Sequence, residues 1–415
     1  MQPAQGAADS DAVPASSERP WLFAFLIAPA AVIAIGLVDG ALSFLLRREG
    51  IDPSRSASIV ALLSLPHAIY FLWGPVTDFF MRRRTWLMLA AFSAAGMLLA
   101  AFCQPRLGST PAIVLLFLAA CLVDIVVAAC GGMMGALKDE TNRRRAGSFY
   151  QSGSLALAAI AVFALTLLAG HLPLGWLGVI LTAMIVLPAL FALAAPPQAM
   201  IAGHTPRETL ARVWSEFKGT FLRREAIPYT MLVTFPMNSG AMIGLITGLA
   251  TDYHVTGRQV AWINGLGGAL LSTAGALAVS LIPVRVRAPI AFLIAGLANA
   301  AAVAVLAVGP LRPATYFAAT VLNLVTIGAG YALFTGVALE FLGGSGKSGS
   351  SRYAIINSLG NLPVAYMSWI DGRGYAHWGP RGMAATDAVI STVGASLMLG
   401  HFIVSRRRKR AENAM

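Results

Sequence analysis

The sequence predicts an all-α membrane protein of twelve transmembrane helices in two six-helix halves. Three observations predict it: charges too sparse for a water-facing surface, apolar runs of bilayer length, and basic residues gathered in the gaps between those runs. Of the 415 residues, 57% are hydrophobic and 12% charged. A water-soluble domain carries about a quarter of its residues charged, so most of this chain faces something other than water.

Crossing the hydrocarbon takes about 20 apolar residues per helix. Runs of that kind fall near 21–45, 56–80, 85–103, 111–137, 148–170 and 173–195, and again near 227–251, 258–282, 288–309, 313–341, 351–370 and 381–404. They are numbered here as spans 1 to 12. Asp371, Gly372, Arg373 and Gly374 read as a break at the outer end of span 11. The domain reading is therefore a disordered tail (1–20), a first half (21–195), a linker (196–226), a second half (227–404) and a basic tail (405–415). The N-terminal tail has no basic segment before an apolar core, so it reads as a tail and not a cleaved signal. In the linker, 205–222 reads as an amphipathic surface helix with Leu210, Val213, Trp214 and Phe217 on one face.

Charge placement sets the orientation. With the N-terminus inside, 22 of the 30 Lys and Arg fall in cytoplasmic segments and 8 outside. That bias puts both termini in the cytoplasm of a multi-pass inner-membrane protein and favours an even number of helices. The net charge of +12 would suggest nucleic acid as a partner in a soluble protein. Here the basic clusters flank the spans, so the partner is the lipid bilayer and no nucleic acid is expected. Cys103, Cys121 and Cys130 sit in apolar stretches and read as small core residues, with no disulfide framework and no metal spacing. No cofactor is expected. Gly343 to Gly349 looks superficially like a phosphate loop, but the first glycine of the motif would fall at Phe341. The segment reads instead as a flexible hinge.

The sharpest motif runs Gly74-Pro75-Val76-Thr77-Asp78-Phe79-Phe80-Met81-Arg82-Arg83-Arg84, between spans 2 and 3. It resembles the Gly-x-x-x-Asp…Arg-Arg signature of the major facilitator superfamily. Physically, an acid at the inner end of span 2 can sit against the positive N-terminus of span 11, near Ser351. The arginines can pair with Asp139 or Glu140 beyond span 4. Gly74, Asp78, Arg82, Arg83, Arg84, Asp139 and Glu140 are thus the expected cytoplasmic gate. Pro283 to Arg287, the matching turn of the second half, keeps two arginines but lacks the acid.

Three short segments narrow the likeness to the peptide–acetyl-coenzyme A transporter group, which includes AmpG-like muropeptide permeases and single-protein siderophore permeases. They are Phe71 to Asp78 with Arg83-Arg84-Thr85-Trp86, Leu122-Val123-Asp124-Ile125, and Arg352 to Pro363. Two positions depart from it: Ala128 stands where the group often has a second acid, and Gly36-Leu37-Val38-Asp39-Gly40 replaces an aromatic–glycine opening of span 1. The resemblance implies a secondary transporter whose two halves rock about a central site.

Ionisable side chains at membrane depth are costly and mark function by default. Asp124, halfway along span 4, reads as a carboxylate that loads and unloads a proton. The bland reading is an acid permanently hydrogen-bonded to polar neighbours. Asp39, near the outer end of span 1, divides evenly between cavity and interface. His67 in mid-span 2, one turn before Tyr70, reads as a ligand or proton group against the usual packed histidine. Glu340 and Asp387 fall close to span ends, where solvation or gate pairing is expected.

Neutral polar candidates for the substrate cavity are Tyr70, Asn238, Asn264, Asn323, Tyr331, Asn357 and Asn361. Asn238 leads, beside Pro236 and Gly240 in span 7. Asn299 belongs to the same set, and interhelical glue is the bland reading of them all. No basic residue falls at mid-membrane. That argues against a polyphosphate, which needs buried arginines as bidentate partners, and for a neutral, zwitterionic or cationic solute.

The expectation is a proton-coupled permease acting as a monomer. Uptake of a siderophore-like or cell-wall-derived compound is the leading reading. Drug or metabolite efflux is the runner-up, and a non-transporting sensor or polytopic enzyme stands behind both.

Overall fold

Apolar runs with few charges can satisfy their backbone groups in lipid only as helices or closed barrels, and this chain takes the helical solution. The computed structural model describes residues 18–73, 76–77, 81–137, 140–195, 206–221, 226–283, 286–342 and 349–412. Among them every regular element is helical. The first six spans are α1 (Pro20–Arg48), α2 (Pro53–Leu72), α3 (Arg83–Phe102), α4 (Thr110–Gly135), α5 (Glu140–Leu168) and α6 (Leu174–Ala194). The linker forms α7 (Pro206–Phe221), close to the expected bounds. In α7, Phe217 stacks on Phe71 at the end of α2, with ring centroids 6.0 Å apart.

Span 7 is two short helices, α8 (Ile227–Thr234) and α9 (Ala241–Leu249). Between them Asn238 and Gly240 take φ of 50° and 80°, left-handed values that no helix interior tolerates. Then follow α10 (Gly257–Ala278), α11 (Ala288–Val308) and α12 (Pro313–Leu342). The last helical stretch, Gly349–Glu412, holds a non-helical residue at Gly379, with φ 67° and ψ −158°. Its apolar part covers 50 residues, about 75 Å if straight at 1.5 Å per residue, or more than two bilayers. Gly379 instead divides it into α13 (349–378) and α14 (380–412).

Among the described residues, ten helices are long and apolar enough to cross a membrane. The division at Gly379 and the broken pair α8–α9 bring this into agreement with the twelve runs of the sequence. Helix starts follow local chemistry. Asp52 caps α2 by accepting from the Ser54 amide at 2.9 Å, ahead of Pro53, and Thr256 with Gln259 closes a capping box on α10.

The expected break at Asp371–Gly374 does not occur. Helix α13 runs through it, because Asp371 is fully buried against a neighbouring helix and Gly374 lets that helix close in. Asp387 is likewise 3% exposed and not solvated at a span end. Cys103 is exposed at the end of α3, Cys121 is half-buried and Cys130 is buried; all three are free thiols. Residues 1–17 and the glycine-rich segment 343–348 lie outside the described residues.

Helix α1 is the most enclosed span: 78% of its most apolar window is buried, against 28% for α10. It therefore runs through the bundle, whereas α10 turns much of its surface outward. The most extensive crossings between the first half and the second are α1 on α9, α2 on α13, and α5 on α10. If span n of the first half matches span n+6 of the second, the pairs 2–11 and 5–8 exchange with each other. This is the pseudo-two-fold pattern that a pair of six-helix repeats should give.

Helices α10 and α12 touch backbone to backbone. A Cβ at Gly275 would collide with the Val325 carbonyl. Overpacking a tight contact costs about 1–3 kcal/mol. Gly275→Val should lower the melting temperature of the purified protein by several degrees. Gly96→Val, where a Cβ meets nothing within 4 Å, serves as the control and should leave it nearly unchanged.

Candidate functional site

Asp39 sits in an irregular part of α1. Residues Ala31–Ala41 form a π-helical stretch, a wide turn that is rare and concentrates at functional sites. The side chain is half-buried, and its Oδ1 has no hydrogen-bond partner among the described residues. At this level α9 lies against α1: a Cβ at Gly244 would collide with the Asp39 carbonyl.

His67 follows Pro66 in α2, which lacks the amide of a regular turn. Its Nδ1 meets Asp124 Oδ1 on α4 at 2.6 Å, with the two side chains 12% and 3% exposed. This is a charge-assisted geometry between helices 57 residues apart in the chain. Asp39 is close enough for its charge to act on His67. The buried atoms His67 Nε2 and Asp124 Oδ2 have no partner among the described residues. Three titratable groups from α1, α2 and α4 thus form one cluster, and they are the three residues expected to couple protons.

The second half reaches this cluster through backbone. The end of α2 tightens into a 3-10 turn at Tyr70–Leu72, and helix α13 takes up carbonyls of that last turn. Ser358 Oγ donates to the Ala68 carbonyl at 2.9 Å, and Asn361 Nδ2 donates to the His67 carbonyl at 3.4 Å. Asn361 therefore touches the very residue that pairs with Asp124. Asn357 is half-buried on the same helix.

Tyr331 on α12 is 48% exposed, yet it is near enough to Asp39 to feel its charge. A Cβ at Gly240 would stand 2.5 Å from its hydroxyl. Its exposed surface therefore faces the space between the halves and not lipid. The remaining candidates lie elsewhere. Tyr70 is buried at the end of α2. Asn238 is wedged into the second half, donating from Nδ2 to the Phe292 carbonyl at 3.0 Å. Asn264 accepts from the Tyr316 hydroxyl at 3.0 Å. Asn299 donates to Thr326 Oγ1 at 3.0 Å, and its neighbour Asn323 is 2% exposed. These bonds tie helices of the second half together.

Of the expected gate, Gly74, Asp78 and Asp139 lie outside the described residues, and Glu140 is described only as the first residue of α5. Arg82 is exposed at the N-cap of α3. Arg83 donates to the Gly132 carbonyl at 2.6 Å and Arg84 to the Ala195 carbonyl at 3.3 Å. Both guanidinium groups thus sit at helix C-termini, where the peptide dipoles favour a cation.

The sequence reading missed a second polar cluster, at the opposite face of the bundle. Arg47, at the end of α1, donates to Asp252 Oδ1 at 3.0 Å. Tyr375 on α13 donates to the same oxygen at 3.3 Å and lies 3.4 Å from the Arg47 nitrogen. This clasp joins first half to second. Opposite charges at the ends of spans 1 and 7, which match under the n+6 rule, were the available signal. Burial pushes the Asp252 carboxyl up from its ordinary range, with the Arg47 guanidinium pulling it back down.

No protein-family model matches the chain, and no curated protein matches it. Solved structures do. A POT family transporter in complex with 5-aminolevulinic acid superposes with a TM-score of 0.71 at 10% identity, covering 92% of this chain and 95% of that one. The nucleoside transporter NupG gives 0.71 at 12% identity, covering 92% and 98%. A D-xylose–proton symporter gives 0.65 at 13%, covering 92% and 96%. The fold is shared. At such identities the likeness concerns the fold, and the chemistry of the cluster rests on this chain's own residues.

Two outcomes follow from the geometry. Asp124→Leu leaves a buried His67 nitrogen unpaired and should cost about 1–3 kcal/mol, read as a fall in melting temperature, while Asp124→Asn keeps a partner and should cost less. For the clasp, the direction at Asp252 fixes the sign. The carboxylate takes up a proton as pH falls, and because its value is raised it does so above the ordinary range near about 3.9. The Arg47 pairing is then lost. A cysteine placed at Ser54 should label faster as pH falls, and this dependence should vanish in Asp252→Asn.

Proposed function

We propose that this chain is a proton-coupled secondary transporter that moves a small or medium organic solute across the inner membrane by alternating access. The observation that carries the reading is the His67–Asp124 pair, buried between α2 and α4 and hydrogen-bonded through the His67 carbonyl to α13 of the other half. With Asp39, the cluster carries a charge of −2 when empty, −1 with one proton and zero with two. Charge at membrane depth is costly, so loading protons lowers the penalty of closing the cavity around the cluster. Protonation and contact between the halves then meet at one residue.

The same reading makes the chain a carrier rather than an enzyme, with 21–195 and 227–404 as its rocking halves. The face holding Arg82 to Arg84 is the cytoplasmic one, and both termini lie there. The Arg47–Asp252–Tyr375 clasp closes the outer side. Tyr331 and Asn361 line the solute path. Among the described residues, no arginine or lysine contacts the cluster, which favours a neutral, zwitterionic or cationic solute over a polyphosphate. The resemblance of three short segments favours uptake of a siderophore-like or cell-wall-derived compound. The shared fold with a D-xylose–proton symporter supports proton coupling.

The test is uptake into proteoliposomes, after a thermal-shift screen of candidate solutes. Accumulation should follow an imposed pH gradient and fall at least about tenfold, equal to about 1.4 kcal/mol, in Asp124→Asn, while exchange of solute across equal pH persists. Accumulation that ignores the gradient, or survives Asp124→Asn, sinks the reading. Release driven by the opposite gradient would assign efflux.

A further inference from the structure

Asp371 and Asp387 take no part in the cluster above, and their setting is unusual. Gly379 turns α13 into α14, and the two acids lie eight residues before and eight residues after it. At 1.5 Å per residue each sits about 12 Å from the turn, at the same level of the hairpin. Gly374 and Gly382 let the two helices approach here, so that a Cβ at Gly374 would collide with Thr386 Oγ1. Asp371 is 0% exposed and Asp387 is 3% exposed. Each carboxyl is close enough to act on the other across the hairpin. Neither Asp371 oxygen finds a donor among the described residues, because the group it meets is another carboxyl.

Two carboxylates in contact repel, and a hydrogen bond between them requires a proton on one. Among the described residues, no cation substitutes for that proton. The charged and titratable groups nearby face elsewhere. Arg373 on α13 lies over the Trp369 ring, and Arg381 on α14 donates to the Gly309 carbonyl. Arg47 of α1, Asp252 after α9 and Tyr375 of α13 bond one another, with Asp52 at the start of α2 acting on Asp252.

We propose that Asp371 and Asp387 form a second proton-binding site, holding one proton between two carboxyl groups and thereby keeping α13 in place behind the clasp. Tyr375 is one helical turn beyond Asp371 and shares its side of α13. Gly372 packs on Ser54 and Ala57 of α2. Loss of the proton would set two adjacent anions in the hairpin interior and push α13 from α14, carrying Tyr375 away from Arg47 and Asp252.

The experiment uses purified full-length protein without solute, so its outcome is independent of the transport reading. Infrared absorption should show a protonated-carboxyl C=O band that persists in Asp124→Asn and Asp39→Asn and is lost in both Asp371→Asn and Asp387→Asn. Raising pH should lower the wild-type melting temperature as the shared proton leaves. Asp387→Asn, whose amide donates the bond permanently, should melt as the wild type does at low pH and lack that fall. A band unchanged in Asp371→Asn, or an identical alkaline fall in Asp387→Asn, overturns the proposal. Displacement of the band by sodium at constant pH also overturns it, in favour of a metal-cation site.

Discussion

An ionised side chain removed from water must be neutralised, and in this protein that single constraint decides where charge can stand. Asp124 is buried because His67 meets it, and the pair is held where α2 loosens after Pro66. Asp371 is buried because a second acid faces it across a hairpin. The arginines of the basic turn stay at helix ends, where carbonyls without intrahelical partners accept their protons. What distinguishes the two interior sites is company. The first joins helices of one half and is touched by the other, whereas the second closes a hairpin within a single half.

Much of this was legible in the sequence because it is local. Apolar runs define spans, and the alternating polar pattern of 206–221 gives a surface helix whatever surrounds it. Asp39, His67 and Asp124 could be chosen singly, since an ionisable residue in an apolar run is conspicuous in one dimension. That they meet was not readable, because α1, α2 and α4 come together only through tertiary packing. The Asp371–Gly374 segment misleads for the same reason. Asp and Gly in succession carry the composition of a turn, and only the partner at Asp387, sixteen residues away across a reversal, makes the helical path preferable. The clasp is invisible as well, since Arg47 looks like any flanking cation until Asp252 and Tyr375 are brought beside it.

The solved transporters keep the helix arrangement at 10–13% identity. Helix crossings depend on small residues and general apolar packing, which many sequences supply. Charge pairs depend on particular side chains, on which a likeness of fold is silent. The crossings α2–α13 and α5–α10 therefore follow from packing, while the His67–Asp124 contact and the carboxyl pair follow from particular side chains of this sequence.

The contact of Gly244 with the Asp39 carbonyl has a mechanical consequence. Gly248 packs on Ser43 one turn further along, so α1 and α9 stay together over this turn and any rotation between them is centred there. From Asp39 to Arg47 the helix extends about 12 Å, and from Asp39 to Pro20 about 28 Å. The arms are unequal by a factor of about two. To the extent that α1 swings as a rigid rod, release of about an ångström at the short arm appears as more than two at the far end. Leverage of this kind asks little of the clasp and gives much at the opposite end of the bundle.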